Sequence, residues 1–344
     1  MIDPREWRYP RILLAVLLGV ILLSMLAGGT IATSDYSVFN AGWDGASTVK
    51  QLAVETGSDP VVLLETARYQ ELDPNSTVAI VLSPESTYAE SEQELLRSFV
   101  EQGGTVVIAD DFRPHSNTVL SGIGASARID RQPVRDQYAR TQTPAFPRAT
   151  RISNHTLTAN VSALALNYPS AVTSNNATTL VKTSNYTYLD ANYNAELDEN
   201  ESVQPYPVVT RESVGDGHVI VMSDSSVFIN AMNEKPGNRQ FISNIIDRHE
   251  TVALDYTHSG SQPPLSVALV YLRRIPYLQA GLGVLLSVSV GLFIRWQPLR
   301  NRSKQFDNNI DLDETTQRAL ESQAQRLRPE DSNTGTANPE KDDE

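Results

Sequence analysis

Two continuous apolar runs separated by an amphipathic segment constrain the fold of this 344-residue chain more than any other feature. Residues Thr77–Leu82 (TVAIVL) and Thr105–Ala109 (TVVIA) have the unbroken apolar character of buried strands. Residues 88–102 between them have the spacing of an amphipathic helix, and the Gly103-Gly104 pair ends it. This β-α-β order predicts an α/β fold with a parallel sheet and right-handed crossovers.

The same pattern stops and then resumes further along the chain. Between about residues 129 and 207 helical periodicity is lost and Asn, Thr, Tyr and Pro accumulate, which predicts an insertion of loops and short strands. Residues 207–211 and 218–222 are then predicted strands joined by a tight turn. Further predicted elements are a helix at 44–55, a strand at 61–64 and a last amphipathic helix at 238–248.

Two uncharged apolar segments flank this domain. Residues 12–33 and 275–294 each come close to the roughly 20 residues that a helix needs to cross a bilayer. By the positive-inside rule, the basic residues beside them predict that both termini are cytoplasmic. Those residues are Arg5, Arg8, Arg11, Arg295, Arg300, Arg302 and Lys304. A cleaved signal peptide is the alternative for the first segment.

The expected organisation is therefore a two-pass protein of the cell membrane, with the lipid bilayer as its first partner. Residues 1–11 would be cytoplasmic, 12–33 a transmembrane helix and 34–272 an extracellular α/β domain. A second transmembrane helix at 275–294 would lead to a cytoplasmic acidic tail, 295–344, most of which is expected to be disordered.

The charge and the absence of cysteine exclude several classes of function. The formal net charge is -13, and phosphates would be repelled, so nucleic acid is not an expected partner. The chain has no cysteine, which excludes disulfides, thiol nucleophiles and Cys-ligated zinc. Only five of its 28 basic residues are lysine. An acidic, arginine-rich, cysteine-free composition is typical of proteins from salt-loving archaea.

Six Asn-X-Ser/Thr sequons lie in the domain between the two apolar segments. They would accept glycans only outside the cell, so they agree with the predicted topology. An Asn- and Thr-rich loop region is the alternative explanation for each of them. The acceptor residues are Asn75, Asn154, Asn160, Asn176, Asn185 and Asn200.

The insertion contains a twelve-residue segment, 190–201, with the spacing of a calcium-binding loop. Oxygen-bearing side chains occupy positions 1, 3, 5, 9 and 12, and position 7 can offer its backbone carbonyl. Ala195 stands where such a loop prefers glycine, which should weaken the site. The expected cofactor is one structural calcium ion, and the alternative is a solvated acidic turn. The proposed ligands are Asp190, Asn192, Asn194, Glu196, Asp198 and Glu201.

Polar side chains follow two predicted strands directly. Asp110 and Asp111 come after Thr105–Ala109, and Asp224, Ser225 and Ser226 come after residues 218–222. Ligands of open α/β sheets bind at this carboxyl edge, where paired carboxylates hold a cation or a sugar hydroxyl. The alternative is that these residues cap the turns that follow. Two further residues, Asn230 and Asn238, are expected to pin loops through side-chain to backbone hydrogen bonds.

Four stretches together resemble a known family: FNAGWDG (39–45), GGTVVIADDF (103–112), GDGHVIVMSDSSVFIN (215–230) and NRQFISN (238–244). They resemble domain-of-unknown-function family 4350, a family of haloarchaeal membrane proteins. The resemblance implies a flavodoxin-like, class I glutamine-amidotransferase-like domain, a fold also seen in gliding-motility and intraflagellar-transport proteins. It implies no established activity. It also implies a membrane complex with partners from a MoxR-type ATPase system.

The chain lacks the residues that this fold would use for catalysis. It has no cysteine nucleophile and no Gly-X-Ser-X-Gly elbow, and its five histidines are scattered along the sequence. We therefore expect a non-catalytic binding or scaffold module of a cell-envelope complex. The alternative is a hydrolase of envelope glycans that uses carboxylates such as Asp110 or Asp224. A hydrolase needs two carboxylates across an open cleft, whereas a scaffold can have this edge closed by its own insertion.

Overall fold

The computed structural model describes residues 34–260 continuously, together with Leu17, Val20 and isolated helical positions between residues 267 and 323. The chain divides into two compact units, Met1–Gln279 and Ala280–Glu344. All the strands and sites described below belong to the first unit.

The described residues contain fourteen strands, several of them only two or three residues long. In chain order they are β1 Asp59–Leu63, β2 Thr77–Leu82, β3 Thr105–Ala109, β4 Arg128–Ile129, β5 Val134–Asp136, β6 Arg148–Ala149, β7 Arg151–Ile152, β8 Leu164–Ala165, β9 Val172–Thr173, β10 Thr178–Lys182, β11 Thr187–Leu189, β12 Pro207–Val214, β13 Gly217–Met222 and β14 Thr251–Asp255.

Helices lie mainly before and after the insertion. They are α1 Ser47–Glu55, α2 Glu90–Glu101, α3 His115–Gly122, α4 Asn230–Asn233 and α5 Pro236–Ile246. Single 3₁₀ turns occupy Thr66–Glu71, Pro74–Ser76, Thr156–Thr158 and Ser225–Phe228.

One eight-stranded sheet runs through the domain in the order β1-β14-β2-β3-β13-β12-β10-β7. The first five strands are parallel, and the pairs from β13 to β7 are antiparallel. The predicted parallel sheet therefore corresponds to the first five strands, and the two strands predicted around a tight turn at 207–211 and 218–222 form the first antiparallel pair. β12 and β13 are joined by a tight turn at Gly215 (φ +58°), and strands joined so closely can only pair antiparallel. The insertion then extends the sheet from β12.

Helices cover both faces of the sheet. Val78, Ile80 and Leu82 of β2 share one apolar core with α1 and α5. Ala79 and Val81 share the other with α2 and α3. Alternate residues of β2 thus enter opposite cores, which explains why its sequence is apolar throughout. Complete burial of one large apolar side chain stabilises the fold by about 1.5–3 kcal/mol.

The strand β14 was not predicted, although it lies in the sheet between β1 and β2. Its five residues follow α5 closely, and β13, α5 and β14 form a further β-α-β unit that the sequence pattern did not reveal. The short helix α3 was also not predicted, because its apolar face is narrow and Pro114 precedes it.

The fold class predicted from the sequence included two flanking transmembrane helices, and this part of it is corrected. Among the residues that the structure describes, no helix combines the length and the apolar character that a bilayer crossing requires. The segments 12–33 and 275–294 lie outside the described residues except for isolated positions, as do most of the expected termini 1–11 and 295–344.

Candidate functional site

The carboxyl edge of the central strands brings the predicted site residues together. β3 ends at Ala109 and β13 at Met222, and these two residues are paired in register. The segments that begin with Asp110 and Ser223 therefore leave the sheet side by side.

The carboxylate oxygens of Asp111 and Asp224 accept hydrogen bonds from backbone N–H groups. The Ser225 N–H donates to Asp111 Oδ1 at 2.7 Å, and the Ser225 hydroxyl donates to Oδ2 at 3.2 Å. The Ser226 N–H donates to Asp224 Oδ1 at 2.9 Å, and the Asn167 N–H donates to Oδ2 at 2.7 Å. Both carboxylates thus cap the 3₁₀ turn after β13, and Asp224 also fixes the insertion. This matches the capping alternative.

Burial changes the acidity of this pair. Asp224 is fully buried, and its burial raises its pKa from 3.8 to about 7. Burial, and then the charge of Asp224, raise the pKa of Asp111 well above its ordinary value. Because two buried carboxylates repel each other, the pair favours a state in which one of them is protonated.

Asp110 is also fully buried and belongs to the same edge. Its Oδ1 accepts from the Ser83 hydroxyl at 3.1 Å and from the Asp111 N–H at 2.8 Å. Its Oδ2 is among the buried atoms without a hydrogen-bond partner in the described residues, as is Ser116 Oγ. Burial raises the pKa of Asp110. A charged Asp110 would therefore be costly in the folded state.

Tyr36 closes this edge from the N-terminal side. It has φ +58°, and its N–H donates to the Asp44 carbonyl at 2.9 Å. Burial, and then the charge of Asp111, raise the pKa of Tyr36 to about 12, while hydrogen bonds with Ser225 and Ser226 act against that rise. Tyr36 therefore packs against the cluster as a neutral phenol.

Asn230 pins the segment that carries Tyr36. Its Nδ2 donates to the carbonyls of Asn40 at 3.1 Å and Gly42 at 2.6 Å. Its Oδ1 accepts from the Thr48 N–H at 2.9 Å. The prediction that Asn230 fixes a loop through backbone hydrogen bonds is confirmed.

Asn238 pins the insertion in the same way. Its Oδ1 accepts from the Ala165 N–H at 2.9 Å, and its Nδ2 donates to the Ala165 carbonyl at 2.9 Å. Nearby, the Ser170 N–H donates to the Ser223 carbonyl at 2.9 Å, and the Ser223 hydroxyl donates back to the Ser170 carbonyl at 2.8 Å. The carboxyl edge is thus covered from two sides, and no described carboxylate of the cluster is more than 9% exposed.

The predicted calcium loop has a conformation built on side-chain oxygens. Asp190 accepts from the N–H groups of Asn194 and Ala195, both at 3.0 Å. Asn194 Oδ1 accepts from the Glu196 N–H at 2.8 Å. Ala195 has φ +67°, the left-handed conformation that favours glycine at this position. The chain therefore turns around the side chains that were proposed as ligands.

Other contacts in the loop compete with a cation. Asp190 is fully buried and forms a 2.6 Å salt bridge with Arg135. The amide nitrogens of Asn192 and Asn194 each donate to one Asp198 oxygen at 2.8 Å. Within the described residues, no group of three or more His, Cys, Asp or Glu side chains is arranged to hold a metal. Calcium binding stays a prediction.

All six sequon asparagines are exposed on the surface. One of them, Asn185, accepts a hydrogen bond from Arg151 at 2.7 Å. Exposure is what a glycan acceptor requires, and it applies equally to a polar loop.

Sequence reasoning missed one convergence of side chains. Three histidines that are far apart in the chain, His155, His218 and His249, line one cavity with Arg211 and Arg248. Their separation in sequence hid this, because the insertion and two strands must fold before they meet. The one sequence feature that could have indicated this cavity is the adjacent basic pair Arg248 and His249 after the last helix of the domain.

The chain has similarities to a family and to solved structures. A family model described as "Domain of unknown function (DUF4350)" matches residues 38–246, more than half of the chain. No curated protein matches it.

The similar structures include the N-terminal domain of mmIFT52, with 12% identity, 58% of this chain and 83% of that chain covered, and a TM-score of 0.42. A ThuA-like protein from Bacteroides uniformis shows 13% identity, 59% and 80% coverage, and a TM-score of 0.35. The exo-β-1,4-mannosidase Op5Man5 from an Opitutaceae bacterium shows 18% identity and a TM-score of 0.27, with 50% of this chain but only 24% of the enzyme covered.

Proposed function

We propose that this chain, which belongs to the DUF4350 family, is a non-catalytic binding or scaffold module of a cell-envelope complex. The observation that carries the proposal is the closed carboxyl edge. Asp111 and Asp224 direct all four carboxylate oxygens to N–H or O–H groups of this chain. A hydrolase would need these groups free and facing a substrate cleft.

Exposed aromatic side chains on the insertion support a binding role. Tyr138 is 74% exposed and Tyr186 is 53% exposed, and their ring centroids lie 4.6 Å apart. Tyrosine is enriched at protein interfaces, because its rigid ring buries a large area at little entropic cost. We assign this pair to contact with a protein partner of the complex.

Several finer parts of the proposal rest on sequence and family resemblance. The six sequons of the domain support an extracytoplasmic location with attached glycans, and their asparagines are accessible to modification. The composition supports a haloarchaeal source, and the family resemblance supports an amidotransferase-like domain, which in this chain has no cysteine nucleophile. Partners from a MoxR-type ATPase system follow from the family resemblance. One structural calcium ion in the loop 190–201 is a further part of the proposal, supported by the turn around Asp190.

The experiment is affinity purification of the tagged full chain from its native host, followed by identification of the proteins retained. We expect envelope proteins in stoichiometric amounts. Tyr138→Ser combined with Tyr186→Ser should lose them, whereas Trp43→Ser, which alters an exposed aromatic residue outside the insertion, should retain them. Equal recovery of partners by the wild type, the double tyrosine variant and Trp43→Ser would refute the assigned surface. Recovery of no partner by the wild type would refute the scaffold role.

The enzyme alternative is tested on the same preparations. We expect no release of sugar from envelope glycans by the wild type. If the wild type releases sugar, and Asp111→Asn with Asp224→Asn abolishes the release without lowering the melting temperature, the domain is a hydrolase. Asp216→Asn, at an exposed turn between β12 and β13, is the matched control.

A further inference from the structure

A cavity of about 290 Å³ lies at the amino-terminal edge of the sheet, where β3 and β13 begin. This edge is opposite the carboxylate cluster. Five basic side chains from separate parts of the fold line the cavity: His155 from the insertion, Arg211 from β12, His218 from β13, and Arg248 and His249 from the segment that follows α5. Such a concentration of positive groups is unexpected in a chain of net charge -13.

These groups are close enough to perturb one another. Burial, and then the charge of Arg248, lower the pKa of Arg211. Burial, and then the charges of Arg211 and Arg248, lower the pKa of His155. The pKa of His218 is lowered by burial and by Arg211, His249 and His155 in that order. The positive charges of these side chains therefore repel one another.

No carboxylate of the described residues forms a salt bridge with Arg211 or Arg248. By contrast, Arg97 and Arg239 pair with glutamates on the surface. Arg211 is half-buried and Arg248 is exposed, and both line the cavity, so a bound anion would gain two guanidinium partners that no carboxylate of the described residues already occupies.

Neutral donors complete the lining. The Nδ1 atom of His155 accepts from the Leu157 N–H at 3.1 Å, so in the neutral ring the proton is on Nε2 and can be donated to a ligand. The His249 ring bridges the Ile245 carbonyl and Thr105 Oγ1, at 2.9 and 3.2 Å, which fixes its orientation. The cavity thus contains charged and neutral donors in fixed positions.

We propose that this cavity binds an oxyanion, a phosphate or sulfate group, through Arg211, Arg248 and His155. The planar guanidinium matches two oxygens of such a group at once. The volume is at the lower end of the roughly 300–1,000 Å³ of ligand pockets, which suits one anionic group with a small substituent. A metal ion is disfavoured, because the two guanidinium charges would repel it.

This inference goes beyond the proposed scaffold role and is independent of it. The cavity and the carboxylate cluster are at opposite edges of the sheet. Loss of anion binding would leave the closed carboxyl edge and the tyrosine surface unaffected, so the two proposals fail separately.

The test is calorimetric titration of the full chain with inorganic phosphate at constant ionic strength, with sodium chloride as the background salt. We expect saturable binding at one site. Arg211→Gln and Arg248→Gln should each weaken it roughly tenfold or more, as the loss of a charge-assisted hydrogen bond does. Arg97→Gln, which removes an exposed arginine on α2, should change the affinity less than about twofold.

Two further arms identify the source of the anion and guard against misfolding. Glycerol phosphate and vesicles that contain phosphatidic acid distinguish a free small molecule from a lipid headgroup; binding of either that depends on Arg248 supports the proposal. Arg248 is exposed, so Arg248→Gln should fold and melt no lower than the wild type without phosphate. No saturable binding by the wild type, or equal binding by the wild type and Arg248→Gln, would overturn the proposal.

Discussion

Single polar residues, rather than apolar packing alone, close the carboxyl edge. A buried carboxylate is tolerated only when hydrogen bonds replace its lost hydration. Asp111 and Asp224 meet this condition with N–H groups from the turn after β13 and from the insertion. Each therefore links two segments of the chain, and this explains their position better than a catalytic role.

The raised pKa of Asp224 predicts an unusual pH dependence of stability. Its pKa is about 7 in the folded protein against an ordinary value of 3.8, so the folded state binds the proton more tightly than the unfolded state. Stability from this group is therefore greatest at low pH and is lost as the pH rises from about 4 to about 7. Between about pH 5 and pH 8, the melting temperature of the wild type should fall more than that of Asp224→Asn.

The exposed variant Asp216→Asn serves as the control for this measurement, and it should follow the wild type. A melting temperature with the same pH profile in Asp224→Asn and the wild type would show that Asp224 is ionised in the folded state without cost.

Asn230 offers a second prediction at this scale. Asn230→Ala removes the partners of two backbone carbonyls and of the Thr48 N–H, in a residue that is only 8% exposed. Buried groups left without partners cost about 1–3 kcal/mol, so unfolding in denaturant should occur at lower concentration. Asn176→Ala, at an exposed position, should change the free energy of unfolding by less than about 0.5 kcal/mol. Equal stability of the two variants would contradict the pinning role.

At the scale of elements, the sequence predicted those strands whose position is indicated by their own pattern of apolar residues. β2 and β3 were located with their observed bounds, because a strand buried on both faces is apolar at every position. β14 was not predicted. Its position in the sheet between β1 and β2 depends on contacts between residues that are distant in sequence.

The candidate site divides in the same way. Its residues could be placed at the strand ends from the sequence, because parallel strands expose their carboxyl ends together. The burial of these residues could not be predicted from the sequence, because it depends on where Tyr36 and the insertion pack. The basic cavity likewise depends on elements that meet only in the folded chain.

The loop 190–201 carries the prediction that belongs to this scale. If it binds calcium, a hundredfold excess over the Kd stabilises the folded state by about 2.7 kcal/mol, which a rise in melting temperature would show. Glu201→Gln should abolish most of the calcium-specific rise, and magnesium should be less effective. Measurement in high salt separates this effect from charge screening.

Glu199→Gln is the matched control, because Glu199 is exposed in the same loop and is not a proposed ligand. The Arg135 salt bridge makes Asp190 unsuitable for this test, since removing one partner of a buried pair destabilises the fold by itself. If both glutamate variants respond to calcium as the wild type does, the loop is an acidic turn without a metal.

At the scale of the whole molecule, the two edges of the sheet have opposite character. The carboxyl edge is acidic, buried and held by the chain's own N–H groups, and the amino edge has a basic cavity. A domain whose usual ligand-binding edge is filled by its own residues is suited to recognition through its surface. We propose that the insertion supplies that surface, since it both covers the edge and presents the exposed side chains of Tyr138 and Tyr186.

Hydrogen exchange at the amides of Asn167, Ser225 and Ser226 tests the closed edge most directly, because their protons are donated to Asp111 and Asp224. We predict that these amides exchange as slowly as those of β3, which would mean that the edge opens only on global unfolding. Fast exchange at all three, with β3 still protected, would show a lid that opens over paired carboxylates and would contradict the non-catalytic account.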